Sequence, residues 1–268
     1  MHVMTKGERF KDHVVLVVGA SSGIGRATAE AFSREGAKTI LSARSADKLE
    51  SIAKALRSEG FEAYPFPSDV SIRQQAEGLI EWVVKTFGTL DILVNSVGVY
   101  DIRRVTEADP ADIEEVMRIN FFGPVYCTLR ALREMLKKGK GVIVNVSSVE
   151  GKKALKHPPG YVCSKFALTG FTDLLRQELY GTGIRVVGVY PGYVKTPLIE
   201  KLRLPDIKAT KPIPPEQVAA AILDAVEKGK AEVIIPNPIS VKFFLTLNTL
   251  SPNIGDWFVR KYNLSGEF

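Results

Sequence analysis

Short apolar runs and longer amphipathic segments alternate along most of the chain. Val14 to Val18 is unbroken apolar sequence, which suits a strand buried on both faces rather than a half-exposed one. It stops at Gly19 and restarts, past Gly23 and Gly25, as Arg26 to Phe32, whose composition is helical. Lys38 to Ser42 reads as strand two, Asp47 to Arg57 as a helix ended by Gly60, and Phe61 to Phe66 as strand three. Ser71-Ile72-Arg73-Gln74 has the form of a capping box, opening a helix with Ala76, Leu79, Ile80 and Val83 on one side and Gly88 at its end. Leu90 to Asn95 is strand four, and Asp109-Pro110 supplies an N-cap and a first-turn proline for the next helix. Gly141 to Val146 is strand five, and Tyr161 to Tyr180 a long helix carrying Phe166, Leu168, Phe171, Leu174 and Leu175. Ile184 to Tyr190 is strand six, broken by Pro191-Gly192; Pro215 to Lys228 is a helix and Glu232 to Ile235 the last strand. This alternation predicts an α/β fold, a doubly wound parallel sheet with helices on both faces. The expected division is one domain over 1–238 and a short apolar, basic C-terminal extension over 239–268.

Composition narrows the setting. With 268 residues, 45% of them hydrophobic, the chain can bury a full core, and the length suits a single α/β domain. Cys127 and Cys163 fall in predicted helices with no CxxC neighbour or nearby His, so both read as reduced core thiols and no metal site is expected. The N-terminal stretch to Asp12 is polar and charged, without a signal-peptide pattern, which makes the cytoplasm the expected location. The net charge of +6 is spread over 36 basic and 30 acidic residues. Interspersed signs describe a solvated surface, and no basic motif or aromatic platform points to nucleic acid.

Candidate chemistry gathers where strands end. Gly19, Gly23 and Gly25 allow a tight turn and a close ligand approach, and the following helix start offers unpaired N–H groups to a pyrophosphate. In open sheets of this kind ligands collect beyond the carboxyl ends of the strands. Strand four ends in Asn95-Ser96-Val97-Gly98, strand five in Ser147-Ser148 and strand six in Pro191-Gly192. Tyr161 and Lys165 are four apart on a helix and share a face, so the ammonium is expected to lower the tyrosine pKa toward a range useful for proton transfer.

Together Gly19-Ala-Ser-Ser-Gly23-Ile-Gly25, Asp69-Val70, Asn95-Ser-Val-Gly98, Asn120, Asn145-Val-Ser-Ser148, Tyr161-Val-Cys-Ser-Lys165 and Pro191-Gly192 resemble the short-chain dehydrogenase/reductase family, in order and over nearly the whole chain. The resemblance implies a single Rossmann-type domain that moves a hydride between a nicotinamide cofactor and a carbonyl or secondary alcohol, in a homo-oligomer. It implies Tyr161 as general acid/base, Lys165 as ribose ligand and pKa modulator, Ser148 as donor to the substrate carbonyl, and Asn120 as holder of a relay water. Ser148 is preferred to Ser147 because it precedes Tyr161 by thirteen positions, the separation usual in the family. Ser147 is expected to bond backbone. The implied cofactor contacts are Gly19, Ser21, Ser22, Gly23, Ile24 and Gly25 in the turn; Asp69, Val70, Asn95 and Gly98 after strands three and four; and Pro191, Gly192, Val194 and Thr196 after strand six, with Tyr161 and Lys165. Val18 stands where the family usually has threonine, and Ser96-Val97 replace its usual Asn-Ala.

The end of strand two selects the coenzyme. An NAD site places a carboxylate there for the ribose 2′-hydroxyl, whereas Leu41-Ser42-Ala43-Arg44-Ser45 has none. Arg44 can fork onto a 2′-phosphate, so NADP is expected over NAD. Two rival functions are a non-catalytic dinucleotide sensor and a nucleotide-sugar epimerase or dehydratase. The intact Ser, Tyr, Lys and Asn set opposes the first; the glycine spacing and lack of a sizeable sugar-binding domain oppose the other. Leu198, Ile199, Leu202, Leu204 and Ile207 suggest a nonpolar substrate face. The tail, with Phe243, Phe244, Leu247, Leu250 and Trp257-Phe258 beside Lys242, Arg260 and Lys261, is too interrupted to span a bilayer. Three roles stay open for it: packing on the domain or a subunit interface, roofing the cleft, or resting peripherally on a membrane surface.

Overall fold

The structure is a computed structural model that describes residues 7–100, 103–155, 158–200, 212–236 and 239–261. Seven strands make one sheet: β1 (Val14–Val18), β2 (Lys38–Ala43), β3 (Ala63–Pro67), β4 (Ile92–Asn95), β5 (Gly141–Val146), β6 (Ile184–Pro191) and β7 (Glu232–Ile235). Their order is β3-β2-β1-β4-β5-β6-β7, and every neighbouring pair is parallel. The helices are α1 (Gly23–Arg34), α2 (Ala46–Ser58), α3 (Arg73–Phe87), α4 (Pro110–Met117), α5 (Gly123–Lys138), α6 (Pro159–Glu178), α7 (Pro197–Glu200), α8 (Pro215–Lys228), α9 (Ile239–Leu250) and α10 (Pro252–Lys261).

Strand side chains alternate between faces, and β1 shows why its apolar run is unbroken. Val15 and Val17 pack in one core with Phe32 of α1, Leu49 and Leu56 of α2 and Ile222 of α8. Val14, Leu16 and Val18 pack in the other with Leu79 of α3, Met135 of α5 and Leu175 of α6. Two covered faces leave no solvent side for polar residues on the central strand. After β3 the chain returns to the middle and places β4 beside β1, so the chain direction across the sheet reverses between them. That switch opens a crevice at the carboxyl edge, where Val18 pairs with Asn95 and Asn95 with Asn145.

Two local expectations are corrected. The capping box does not form: α3 begins at Arg73, Ser71 Oγ donates to Asp69 Oδ1 at 2.7 Å, and Gln75 Oε1, not Gln74, reaches back to accept from Asp69 N at 2.8 Å. The nearby carboxylate outcompetes the helix for the serine hydroxyl. Cys127 is a core thiol, and burial pushes its pKa up to about 12, but Cys163 is exposed because it lies on the outward face of α6. Pro252 starts α10 where its missing N–H costs nothing, making the tail a helical pair. Gly255 lets the two helices close up, since a Cβ there would lie 2.2 Å from Asn248 Oδ1. Among the described residues no helix is long and apolar enough to cross a membrane.

Candidate active site

The glycine turn is pinned to β2: Gly19 N and Ala20 N both donate to Ser42 O, at 2.8 and 3.0 Å. Gly19 has φ +89°, and a Cβ there would stand 2.6 Å from Ser96 O, so the ends of β1 and β4 touch across the crevice. At Gly25 a Cβ would lie 2.2 Å from Gly19 O, and at Gly23 it would lie 2.9 Å from Thr196 Cγ2. Thr196 therefore stands directly against the turn, and Val194 anchors its loop by bridging to Ile213. Ser22, next to Ser21 and ahead of Ile24, caps α1 without a side-chain bond, and the first turn of this 12-residue helix holds no acidic group. Open N–H groups, the helix dipole and a cradle that any Cβ would fill fit a dinucleotide diphosphate.

The remaining cofactor candidates divide into two kinds. Arg44 follows β2, is exposed and has no ion pair among the described residues. Gly98 is exposed, and a Cβ on it would come 3.8 Å from Lys165 Nζ. Pro191 closes β6, and Gly192 N donates to Ile235 O at 2.7 Å. The Asp69 carboxylate is engaged with Ser71, and Val70 packs under the start of α5, where a Gly123 Cβ would meet it at 3.1 Å. The Asn95 side chain does not face the crevice. It donates to Thr128 Oγ1 at 3.0 Å and Asn145 Oδ1 at 2.9 Å, and Asn145 donates on to Thr172, forming a buried polar seam that ties β4 and β5 to α5 and α6.

Ser148, Tyr161 and Lys165 do converge. The Tyr161 hydroxyl hydrogen-bonds Ser148, whose Oγ also accepts from Glu150 N at 3.1 Å. Lys165 is buried, donates to Val146 O at 3.1 Å, and holds its Nζ 5.6 Å from the Tyr161 ring centre. Ser147 bonds backbone, donating to Lys165 O at 2.9 Å. Asn120 sits in a π-helical segment, Arg118–Phe122, between α4 and α5. Its Oδ1 accepts from Val99 N at 2.8 Å and its Nδ2 donates to Val99 O at 2.9 Å, a two-point clamp on the loop after β4. Nδ2 also reaches Ser164 Oγ at 3.1 Å, and Ser164 donates to Tyr161 O. The expected lowering of the Tyr161 pKa is corrected. Burial and the Glu150 carboxylate hold the phenol above its ordinary value, with the Ser148 hydrogen bond pulling weakly the other way.

Two groups at this site escaped the sequence reading. Tyr100 stacks on Tyr161 with ring centres 4.3 Å apart, and Glu150 is buried just after Ser148. For Tyr100 the available signal was an aromatic placed two residues past Gly98. Glu150, in a stretch reading Glu150-Gly-Lys-Lys153, has the sequence surroundings of an ordinary solvated charge and gave no such signal. A separate cavity of about 330 Å³, lined among others by Arg9, His13, Asp91 and Arg185, lies at the opposite, amino edge of the sheet.

A family model described as short chain dehydrogenase matches residues 13–206. The chain belongs to the short-chain dehydrogenase family. Its relatives include a dehydrogenase/reductase SDR family protein 7-like of Anopheles gambiae, 32% identical over 96% of this chain and 86% of the relative. An uncharacterized oxidoreductase, YxnA, of Bacillus subtilis is 31% identical over 96% of this chain and 74% of its own length. An uncharacterized oxidoreductase of Staphylococcus aureus is 32% identical over 82% of this chain and 93% of its own. As a short-chain dehydrogenase the protein is an oxidoreductase that works with a nicotinamide dinucleotide on a small-molecule substrate.

Proposed function

We propose that this short-chain dehydrogenase reduces a carbonyl, or oxidises the matching secondary alcohol, with NADP(H) and Tyr161 as general acid/base. The observation that carries the reading is the Ser148–Tyr161 hydrogen bond beside the buried Lys165, at the same sheet edge as the open glycine turn. The bound dinucleotide supplies or accepts the hydride. Ser148 and Tyr161 donate hydrogen bonds to the substrate oxygen, and Tyr161 passes its proton to that oxygen as negative charge develops there. Lys165 holds the nicotinamide ribose and offsets charge near Tyr161. Asn120 fixes the Val99 backbone and so the loop carrying Tyr100. Arg44 takes the 2′-phosphate through a forked, charge-assisted contact. A screen of ketones and alcohols against the purified protein with each coenzyme tests this. A preference for NAD that Arg44→Ala leaves unchanged would remove the coenzyme assignment.

The protein also works as a homo-oligomer in this proposal. Leu129 and Leu136 on α5 and Phe166 and Leu174 on α6 are large apolar side chains left exposed, seven or eight residues apart on each helix, a spacing that keeps each pair on one face. The extension 239–268 serves as the border of the substrate cleft. Its support is the ion pair of Lys153 Nζ with Asp256 Oδ1 at 2.6 Å, which ties α10 to the stretch following Ser148. Exposed Phe243, Leu250, Ile254 and Trp257 favour a further role in peripheral membrane contact, with Arg260 on the same helix as Trp257. Both roles imply a lipophilic substrate. The apolar positions from Ile199 to Ile207 that point the same way lie outside the described side chains.

A further inference from the structure

The cavity at the amino edge of the sheet is built at the opposite strand ends from the glycine turn, and its walls carry two kinds of group. Phe10, Ile92, Val142 and Val226 line it; all are buried members of the core that β1 shares with α1, α2 and α8. They give it an apolar floor. The two carboxylates that line it are already engaged. Asp91 accepts from Val14 N and meets Lys138, and Glu227 Oε2 pairs with Arg9 Nη1 at 3.1 Å. Arg9 is held in turn by Glu35, 2.9 Å from its Nη2. Lys140 and Arg185 line the cavity too, are exposed, and make no ion pair among the described residues.

Local backbone geometry brings these two cations to one lip. Gly183 has φ +80°, and a Cβ on it would lie 2.1 Å from Gly139 O, so the turns entering β5 and β6 pack directly together. In the ladder that follows, Arg185 pairs with Val142, two residues beyond Lys140, and two is the strand period that returns side chains to the same face. The Arg185 guanidinium rests against Gly229 at the end of α8, where a Cβ would stand 3.1 Å from its Nη1. Exposed cations beside a buried apolar surface, with the lining carboxylates already paired, suit a ligand that has an anionic head and an apolar body.

We propose that this amino-edge cavity binds a small organic carboxylate with an apolar body. Arg185 and Lys140 hold the head group, and the hydrocarbon part lies on Phe10, Ile92, Val142 and Val226. The volume of about 330 Å³ falls within the range of small-molecule sites, about 300–1,000 Å³. His13 aside, the charged lining groups are Arg9, Lys140 and Arg185 against Asp91 and Glu227, which leaves one positive charge to be matched. A monoanion meets that better than a phosphate monoester, whose charge is about −1.5 to −2. Arg185 also offers the fork that a carboxylate accepts at two points. The inference goes beyond the proposed hydride chemistry and does not depend on it.

The test is isothermal titration of the full chain with 4-phenylbutyrate, 4-phenylbutyramide and acetate, together with thermal melts. 4-Phenylbutyrate should bind and raise the melting temperature. The amide keeps the body without the charge, and acetate keeps the charge without the body, so each should bind at least about tenfold more weakly. Lys140→Gln and Arg185→Gln should each weaken 4-phenylbutyrate binding about tenfold. Their unliganded melts should stay close to wild type, because neither side chain is buried or ion-paired among the described residues. Arg185→Lys keeps the charge without the fork, and should fall between wild type and Arg185→Gln. Should a glutamine variant melt early, Arg185→Lys and the three probes on wild type still decide. Equal affinity for the amide or for acetate would overturn the inference. So would binding that the Lys140 and Arg185 variants leave unchanged, which would put the probe elsewhere, or no binding to wild type at millimolar concentration.

Discussion

At Tyr161 two effects raise the phenol pKa, burial and the Glu150 carboxylate, and the Ser148 hydrogen bond lowers it. The net direction is upward, so the free protein carries a neutral phenol throughout the neutral range. Carbonyl reduction, which consumes that proton, should therefore run without a Tyr161-dependent loss through neutral pH. Alcohol oxidation, which needs the phenolate as base, should accelerate as pH rises. Tyr161→Phe keeps the ring that stacks on Tyr100 but removes the proton, and should cost about 10²–10⁴ in kcat while leaving dinucleotide binding close to wild type. Near wild-type turnover by a folded Tyr161→Phe protein on a confirmed substrate would refute the assignment. The sequence made Tyr161 and Lys165 legible as a pair on one helix face. It could not show the sign of the pKa shift, because the larger cause, burial, is set by how the site packs, and the Glu150 carboxylate that adds to it lies in the turn that Gly151 packs onto α6.

On the scale of elements, the amino edge of the sheet is held by Asp91, whose Oδ2 accepts from Val14 N at 2.9 Å and whose other oxygen meets Lys138. Burial raises its pKa, but the Lys138 and Val14 hydrogen bonds prevail and leave it below the ordinary aspartate value. A depressed folded-state pKa gives stability that is present above the unfolded value and lost as pH falls through the folded one. Asp91→Ala should lower stability at pH 7 by about 1–3 kcal/mol, since it orphans the first N–H of β1, and should flatten the acid limb of the melting curve below pH 4. Equal acid sensitivity of variant and wild type, measured by thermal melts, would contradict this. Strands and covering helices were legible because two buried faces force unbroken apolar runs such as Val14–Val18. The tail helices were not: Ile239–Leu250 is apolar on most sides, so no 3.6-residue period stands out, and Pro252 reads as a break until its place at a helix start is known.

For the whole molecule the proposed interface on the outward faces of α5 and α6 and the proposed contacts of the tail pair can be tested separately. Cys163, Phe166 and Leu174 lie three and eight residues apart along α6 and are all exposed, so an interface over this face would cover the thiol as well. Leu174→Arg should reduce the mass seen by light scattering to that of one chain. The same variant should make Cys163 react faster with a thiol reagent, while Cys127 stays unreactive until the protein unfolds. An unchanged mass with a freely reactive Cys163 in wild type would leave α6 outside any interface.

The tail poses the remaining question at this scale. It is joined to the domain by the Lys153–Asp256 ion pair, which is half open to solvent at the aspartate, so salt should weaken it. Truncation after Asn237 removes α9 and α10 while leaving β7 and both sheet cores complete. The shortened chain should therefore keep its fold and dinucleotide binding. If the tail borders the cleft, KM should rise for long-chain ketones far more than for short ones, and Asp256→Ala should reproduce part of that rise in wild-type length protein. If it rests on lipid, co-sedimentation with anionic liposomes should fall on truncation and in Trp257→Ala, without a chain-length-dependent KM. A folded truncation whose kinetics and liposome binding both match the full chain would assign the tail neither role, because the two readings make the same exposed Phe243, Leu250 and Trp257 responsible for a measurable contact.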